Sequence, residues 1–205
     1  KSSKPIIAIT MGDPAGIGPE IVLKSLKNPE VYEVSKPVVI GSFDIIKACA
    51  EQINLDIEFS LIDSIDQANF QINKIDLISV GNYTFPDIKL GEISSLSGKA
   101  SIAYIQEASG LAVSHEIDGI ATAPINKESL DQAGFMLLGH TELFSHFTDS
   151  PNVSTIFLMD EVKIFFVTRH LPLLNAIKAI NKDSVLKTIV KADSAMRELG
   201  YDDYK

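Results

Sequence analysis

Cysteine is nearly absent: Cys49 stands alone among 205 residues. A single cysteine excludes an intrachain disulfide and a cysteine-built zinc cluster. Positive charge is also scarce. Eighteen Lys and Arg face 27 Asp and Glu, for a formal net charge of −9 and a pI near 4.9. Such a chain gets no electrostatic help in binding nucleic acid or an anionic membrane, so neither is expected as a partner. A local pocket can still oppose the global field and hold a small anion. No apolar run approaches the ~18 residues that a membrane span needs. The opening KSSKPIIAIT lacks the apolar stretch and cleavage site of a secretory leader. The expected compartment is the cytoplasm. Internal repeats and low-complexity tracts are missing too.

What remains is an ordinary globular composition, with 45% hydrophobic and 22% charged residues and a mean hydropathy of +0.16. Short β-branched runs at 5–10, 37–41, 57–62, 75–80, 117–123, 154–159 and 163–168 read as strands. They are continuously apolar rather than alternating, as in strands covered on both faces. Helical patterns lie between them. Pro19 suits a first helical position. Ser42 is a candidate cap for a helix through Gln52, and Asp183 for one running to Leu199, which Gly200 ends. Residues 98–115 carry apolar side chains at helical spacing and read as a long, half-buried helix. Strand–helix alternation predicts an α/β fold with a mostly parallel sheet. The turn-rich stretch 81–98 is a weak boundary candidate. The sequence closes on GYDDYK after a helix terminator, where an alternating chain should supply another strand, so a longer protein is expected.

Three stretches carry chemistry. The first is ITMGDPAGIGPE, residues 9–20. Its glycine order is neither the dinucleotide fingerprint G-x-G-x-x-G nor a G-x-x-x-x-G-K phosphate loop. Glycines allow positive φ and close ligand approach. Asp13 and Glu20 would repel an anion and suit a cation, a hydroxyl or a buried hydrogen-bond network. A tight first turn of any doubly wound protein is the alternative reading. The second is ATAPINK, residues 121–127, with GHTE, residues 139–142. Asn126 can cap a helix that places Lys127 at its N-terminus, where a cation is disfavoured unless an anionic ligand is near. His140 and Thr141 form a candidate phosphate seat at a helix start. A solvated Lys127 and a Thr141 that only caps its helix are the alternatives. The third is TRHLPL, residues 168–173. His170 follows a strand, where imidazole can bind a divalent metal or serve as a hydrogen-bonded structural residue.

MGDPAGIGPE resembles the N-terminal signature of the 4-hydroxythreonine-4-phosphate dehydrogenase (PdxA) family. It also resembles the G-D-G-I-G-P-E turn of isocitrate and isopropylmalate dehydrogenases. GHTE and T-x-H-x-P-L match the family as well, and the resemblance runs in order along essentially the whole chain. It implies the αβα sandwich of the isocitrate/isopropylmalate dehydrogenase type, which binds NAD or NADP without a Rossmann fingerprint. It implies a first α/β domain over 1–125 and the start of a second over 126–205. The implied reaction is metal-assisted oxidative decarboxylation of 4-phospho-hydroxy-L-threonine, in pyridoxal phosphate biosynthesis. Paralogues acting on 4-phospho-D-threonate or 4-phospho-D-erythronate are the alternative, and TRHLPL and TAPINK look at least as much like that branch. An inactive binding fragment is a second alternative, and an acyl-phosphate transferase a third.

By the same resemblance His140 and Thr141 contact the phosphorylated substrate. His170 is the first of three metal-binding histidines; the motifs G-L-N-P-H-A-G-E and Y-H-D-Q-G that supply the others do not occur here. Lys127 is a catalytic or phosphate-binding candidate, and Asp13, lining the cleft, is a second catalytic candidate. The metal is expected to be zinc, cobalt, magnesium or manganese, and the assembly a homodimer. His146 has no counterpart and is expected to be structural or exposed.

Overall fold

The protein is described by a computed structural model over residues 4–136, 139–150 and 153–201. It forms two compact units, Lys1–Pro151 and Asn152–Lys205.

The first unit is built on five parallel strands: β1 (Ile6–Thr10), β2 (Lys36–Gly41), β3 (Glu58–Leu61), β4 (Lys74–Ser79) and β5 (Gly119–Thr122). Their order across the sheet is β3-β4-β2-β1-β5. Thr10 pairs in register with Ile40 on one side and Thr122 on the other. The strand carboxyl ends therefore line one edge of the sheet, where open α/β sheets bind ligands. The apolar runs have the reason expected for them, since Val38, Val39, Ile40 and Leu77 are fully buried.

Helices α1 (Gly18–Leu26), α2 (Pro29–Val34), α3 (Phe43–Gln52), α4 (Ser95–Val113), α5 (Lys127–Gln132) and α6 (His140–Phe147) complete this unit. Several starts differ from expectation. Pro19 is the second residue of α1, after Gly18. Ser42 precedes α3 but caps nothing with its side chain; its hydroxyl is committed to Tyr104. Helix α4 begins at Ser95 because Ser94 accepts the Ser97 N–H. It is buried on two faces rather than one. Ala100, Tyr104 and Ala108 join the sheet core, while Ile102 and Ile105 pack with Leu130 of α5 and Leu143 of α6. That second cluster is why the first compact unit runs past the expected 125/126 boundary to Pro151. The stretch 81–98 is no boundary either. Ile88 is buried, and the Gly91 N–H donates to the Ala15 carbonyl at 2.8 Å.

The second unit holds β6 (Ile156–Met159), β7 (Val162–Phe165), α7 (Leu173–Ala179) and α8 (Lys182–Glu198). Here the expectation of parallel strands covered on both faces fails. β6 and β7 pair antiparallel, because two linking residues suffice for a hairpin and not for a crossover. Phe157, Leu158, Met159 and Val162 are exposed, and Met196 is the one buried hydrophobic residue among those described here. Asn181, not Asp183, caps α8, accepting the Ser184 N–H at 3.0 Å. Asparagine precedes the helix with the extended backbone a cap needs; Asp183 already lies in the first turn. Among the described residues no helix is long and apolar enough to cross a membrane.

Candidate active site at the carboxyl ends of β1 and β5

β1 and β5 are neighbours, so the loops leaving their carboxyl ends meet. Gly12 has φ +75°, and a Cβ there would stand 2.4 Å from the Pro124 carbonyl oxygen. The next residue, Asp13, donates its N–H to that oxygen at 2.9 Å. Gly18 is equally constrained, since a Cβ would lie 2.2 Å from the Met11 carbonyl oxygen. These two glycines are thus required by contact with the protein's own backbone. The expectation that they clear space for a ligand is corrected: at Gly12 and Gly18 that space is filled by backbone.

Beyond Pro124, Asn126 accepts the Ser129 N–H at 3.0 Å and starts α5 at Lys127. This is the cap expected of it. Lys127 is exposed and reaches toward Gly139. A Cβ on Gly139 would lie 3.9 Å from Lys127 Cε and 3.2 Å from Glu142 Oε2. The Gly139 N–H donates to Glu142 Oε2 at 3.0 Å, so Gly139 is the N-cap residue of α6. Thr141 is therefore the second helical residue and not the cap. His140 and Thr141 form the first turn of α6, where N–H groups have no partner within the helix. The turn of residues 12–16 thus meets the β5 loop at Pro124, and Lys127, just beyond that loop, lies near Gly139 at the start of α6.

His140 is only partly exposed. Its ring stacks on Phe144 with centroids 6.1 Å apart, and Nε2 is buried with no hydrogen-bond partner among the described residues. Burial pushes its pKa below the usual histidine value, which favours the neutral imidazole. A buried ring nitrogen without a partner is a group waiting for one. Asp13 is 7% exposed. Burial pushes its carboxyl up, and the hydrogen bond from the Ala15 N–H partly offsets that.

Sequence reasoning missed the floor of this site, which is polar and belongs to α4. Ser101 donates to the Gly12 carbonyl at 3.3 Å. The fully buried Tyr104 shares a 2.7 Å hydrogen bond with Ser42, and Ser42 also donates to the Val80 carbonyl at 3.2 Å. Tyr83 packs edge-on against Tyr104, with centroids 6.3 Å apart. Burial drives the Tyr104 phenol well above its ordinary value; the charges of Tyr83 and Asp13 add to this, and the Ser42 hydrogen bond opposes it. The available signal was the spacing of Ser97, Ser101 and Tyr104, polar groups recurring on one face of an otherwise apolar helix.

His170 belongs to the second unit. It is exposed and has φ +53°. Among the described residues no group of three His, Cys, Asp or Glu is placed to hold a metal. A single imidazole does not complete a metal centre on its own. His146 is exposed and lies edge-on to Phe147, with centroids 5.1 Å apart.

The sequence profile of the family described as Pyridoxal phosphate biosynthetic protein PdxA matches residues 33–205. The chain belongs to that family. Proteins of Clostridium botulinum provisionally named D-threonate 4-phosphate dehydrogenase are 39% identical over 204 residues, which is 100% of this chain and 61% of theirs. One of Halalkalibacterium halodurans with the same name is 40% identical over 199 residues, 97% of this chain and 60% of its own. Among solved PdxA-family structures, the 4-hydroxythreonine-4-phosphate dehydrogenase of Burkholderia phymatum matches with a TM-score of 0.87 at 34% identity, covering 95% of this chain and 59% of that one. The Klebsiella pneumoniae enzyme of that name gives 0.89 at 31% identity, covering 98% and 61%. The chain thus spans about three-fifths of the length of these relatives. The α/β architecture with a mostly parallel central sheet is the one expected.

Proposed function

We propose that the protein is a dehydrogenase that oxidises and decarboxylates a phosphorylated hydroxy acid, with D-threonate 4-phosphate as substrate. Oxidation of the C3 hydroxyl passes a hydride to NAD or NADP. The resulting β-keto acid loses CO2 and leaves a three-carbon ketone phosphate. The observation that carries the reading is the meeting of the β1 and β5 loops at Pro124, with Lys127 starting α5 just beyond it and reaching toward Gly139, the residue before His140 and Thr141.

In this reading the start of α6 receives the substrate through the backbone N–H groups of His140 and Thr141, the Thr141 hydroxyl and the His140 imidazole. His140, neutral and with an unpartnered Nε2, exchanges a hydrogen bond with a substrate oxygen. Lys127 supplies positive charge for the phosphate. Its cationic side chain at the start of α5 opposes the helix dipole, a cost that a bound dianion removes. His170 would supply one ligand to a divalent metal, which would act as a Lewis acid on the substrate's oxygens. The described residues do not by themselves complete a metal site. The active assembly is a homodimer.

The names of relatives at 39–40% identity, given for D-threonate 4-phosphate, support that substrate. A second reading, 4-hydroxythreonine 4-phosphate, is favoured by the names of the solved structures at 31–34% identity. One hydrogen-bonding group at C2 separates the two substrates, and such a difference can decide specificity. The test is NADH or NADPH formation by the protein expressed from its complete reading frame, with each substrate in turn and with divalent metal added. Turnover of D-threonate 4-phosphate is expected, lost in His140→Ala and weakened in Lys127→Ala. No reduced nucleotide from either substrate, with folded protein, contradicts the proposal.

A further inference from the structure

Asp13 is a carboxyl placed where a carboxyl is costly. It is 7% exposed and burial raises its pKa, yet no cationic side chain pairs with it among the described residues. What it does make is a closed turn. Oδ1 accepts the Ala15 N–H at 2.9 Å, and its carbonyl accepts the Gly16 N–H at 3.0 Å. An aspartate that holds the backbone two residues on mimics a backbone turn and fixes its shape.

This turn is clamped to the next loop. The Asp13 N–H donates to the Pro124 carbonyl, and Gly12 leaves no room between the two backbones. From below, Ser101 holds the Gly12 carbonyl. From the side, the Gly91 N–H holds the Ala15 carbonyl. Pro124 lies two residues before Asn126, whose cap bond to Ser129 sets the start of α5. A displaced Asp13 turn therefore carries Pro124, the Asn126 cap and Lys127 with it. All that the carboxyl contributes to this chain of contacts is an acceptor oxygen aimed at Ala15. A neutral amide offers the same oxygen without the cost of a buried charge.

We propose that Asp13 is a positioning residue: its side-chain oxygen shapes the 12–16 turn, and the turn sets the position of Lys127 through Pro124 and Asn126. The inference rests on the proposed function for the role of Lys127 at the phosphate. The turn acts by geometry, so the charge of Asp13 is dispensable and its shape is not.

The experiment compares the native protein with Asp13→Asn and Asp13→Ala by two independent readouts. The first is hydrogen exchange at the amides of residue 13 and Ser129, which report the Pro124 clamp and the Asn126 cap. The second is steady-state turnover of the phosphorylated substrate. Asp13→Ala is expected to speed exchange at both amides and to raise KM, each by about tenfold, as for loss of one hydrogen bond. Its kcat should move far less than its KM. Asp13→Asn should stay within about twofold of native in both readouts, as a substitution that disturbs no contact does. If Asn is as damaging as Ala, charge rather than shape is at work and the proposal falls. It falls equally if Ala leaves exchange at Ser129 unchanged. Should Asp13→Ala not fold, the requirement that Asn match the native protein still decides. If the native protein turns over neither substrate, it is the proposed function that fails, and the exchange data judge the positioning role alone.

Discussion

The two units of this chain solve the burial problem to different degrees. In the first, five parallel strands are covered by helices, and large side chains such as Tyr104, Met11, Leu77 and Ile40 lose nearly all contact with water. In the second, a two-stranded hairpin and two helices leave Phe157, Leu158, Ile177, Leu186 and Ile189 exposed. A lone hairpin is marginal in water without a partner for its apolar face. Continuous β-branched and aromatic runs thus accompany a closed core in the first unit and exposed apolar side chains among the described residues of the second. Apolar runs state what a strand needs to bury and not what buries it.

The sharpest way to break this comparison is to truncate matched apolar residues. Leu77→Ala, at a fully buried position, should cost about 2–5 kcal/mol through lost transfer energy and the cavity left behind. Ile177→Ala, at a position 61% exposed, should stay within about 0.5 kcal/mol. Urea unfolding of both variants checks the pair. Equal costs would mean that Ile177 is buried in solution.

A second pair tests packing within one helix of the first unit. A Cβ on Gly98 would meet the Ser129 carbonyl oxygen at 2.0 Å, whereas one on Gly110 would meet nothing within 4 Å. Gly98→Ala should destabilise by roughly 1–3 kcal/mol through overpacking between α4 and α5. Gly110→Ala should stabilise by about 0.5–1 kcal/mol, the helix propensity difference. Thermal melts would read the opposite signs directly.

The smallest effects are those of pH, and they too separate the units, because Asp13 and His140 both belong to the first. Asp13 has a folded pKa above its reference of 3.8. The unfolded chain loses that proton first, so stability falls as pH rises from 3.8 through the folded value. His140 has a folded pKa below its reference of 6.5. The unfolded chain gains that proton first, so stability falls as pH drops from 6.5 through the folded value. Asp13→Asn should remove the first slope and His140→Gln the second. Stability measured from pH 4 to 8 in each variant checks both signs. Unchanged slopes would place these groups in water.

Much of the fold is legible in the sequence. Every expected strand exists, and the five of the first unit form the parallel sheet that the alternation predicted. Individual helix starts were less legible. Ser42, Thr141 and Asp183 are cap-forming residue types, but Tyr104 claimed the Ser42 hydroxyl, and Gly139 and Asn181 took the other two positions. A cap is decided by backbone geometry and competing partners as well as by residue type. In the candidate site, Asp13, Lys127, His140 and Thr141 stood out through motif and spacing. The supporting floor of Ser101, Tyr104 and Ser42 did not, because its partners lie 89 and 62 residues apart along the chain. Glycine was the residue most easily misjudged. Gly12 and Gly18 sit in a loop that looks made for a ligand, and their missing side chains are needed by Pro124 and Met11.

The most direct test is a titration of the 15N-labelled protein with D-threonate 4-phosphate, followed by amide and His140 imidazole signals. The account predicts that shifts concentrate at residues 12–15, 126–127 and 140–141, on the loops that leave β1 and β5 and at the start of α6. Shifts confined to the β6–β7 hairpin and α8, with those loops unmoved, would contradict it.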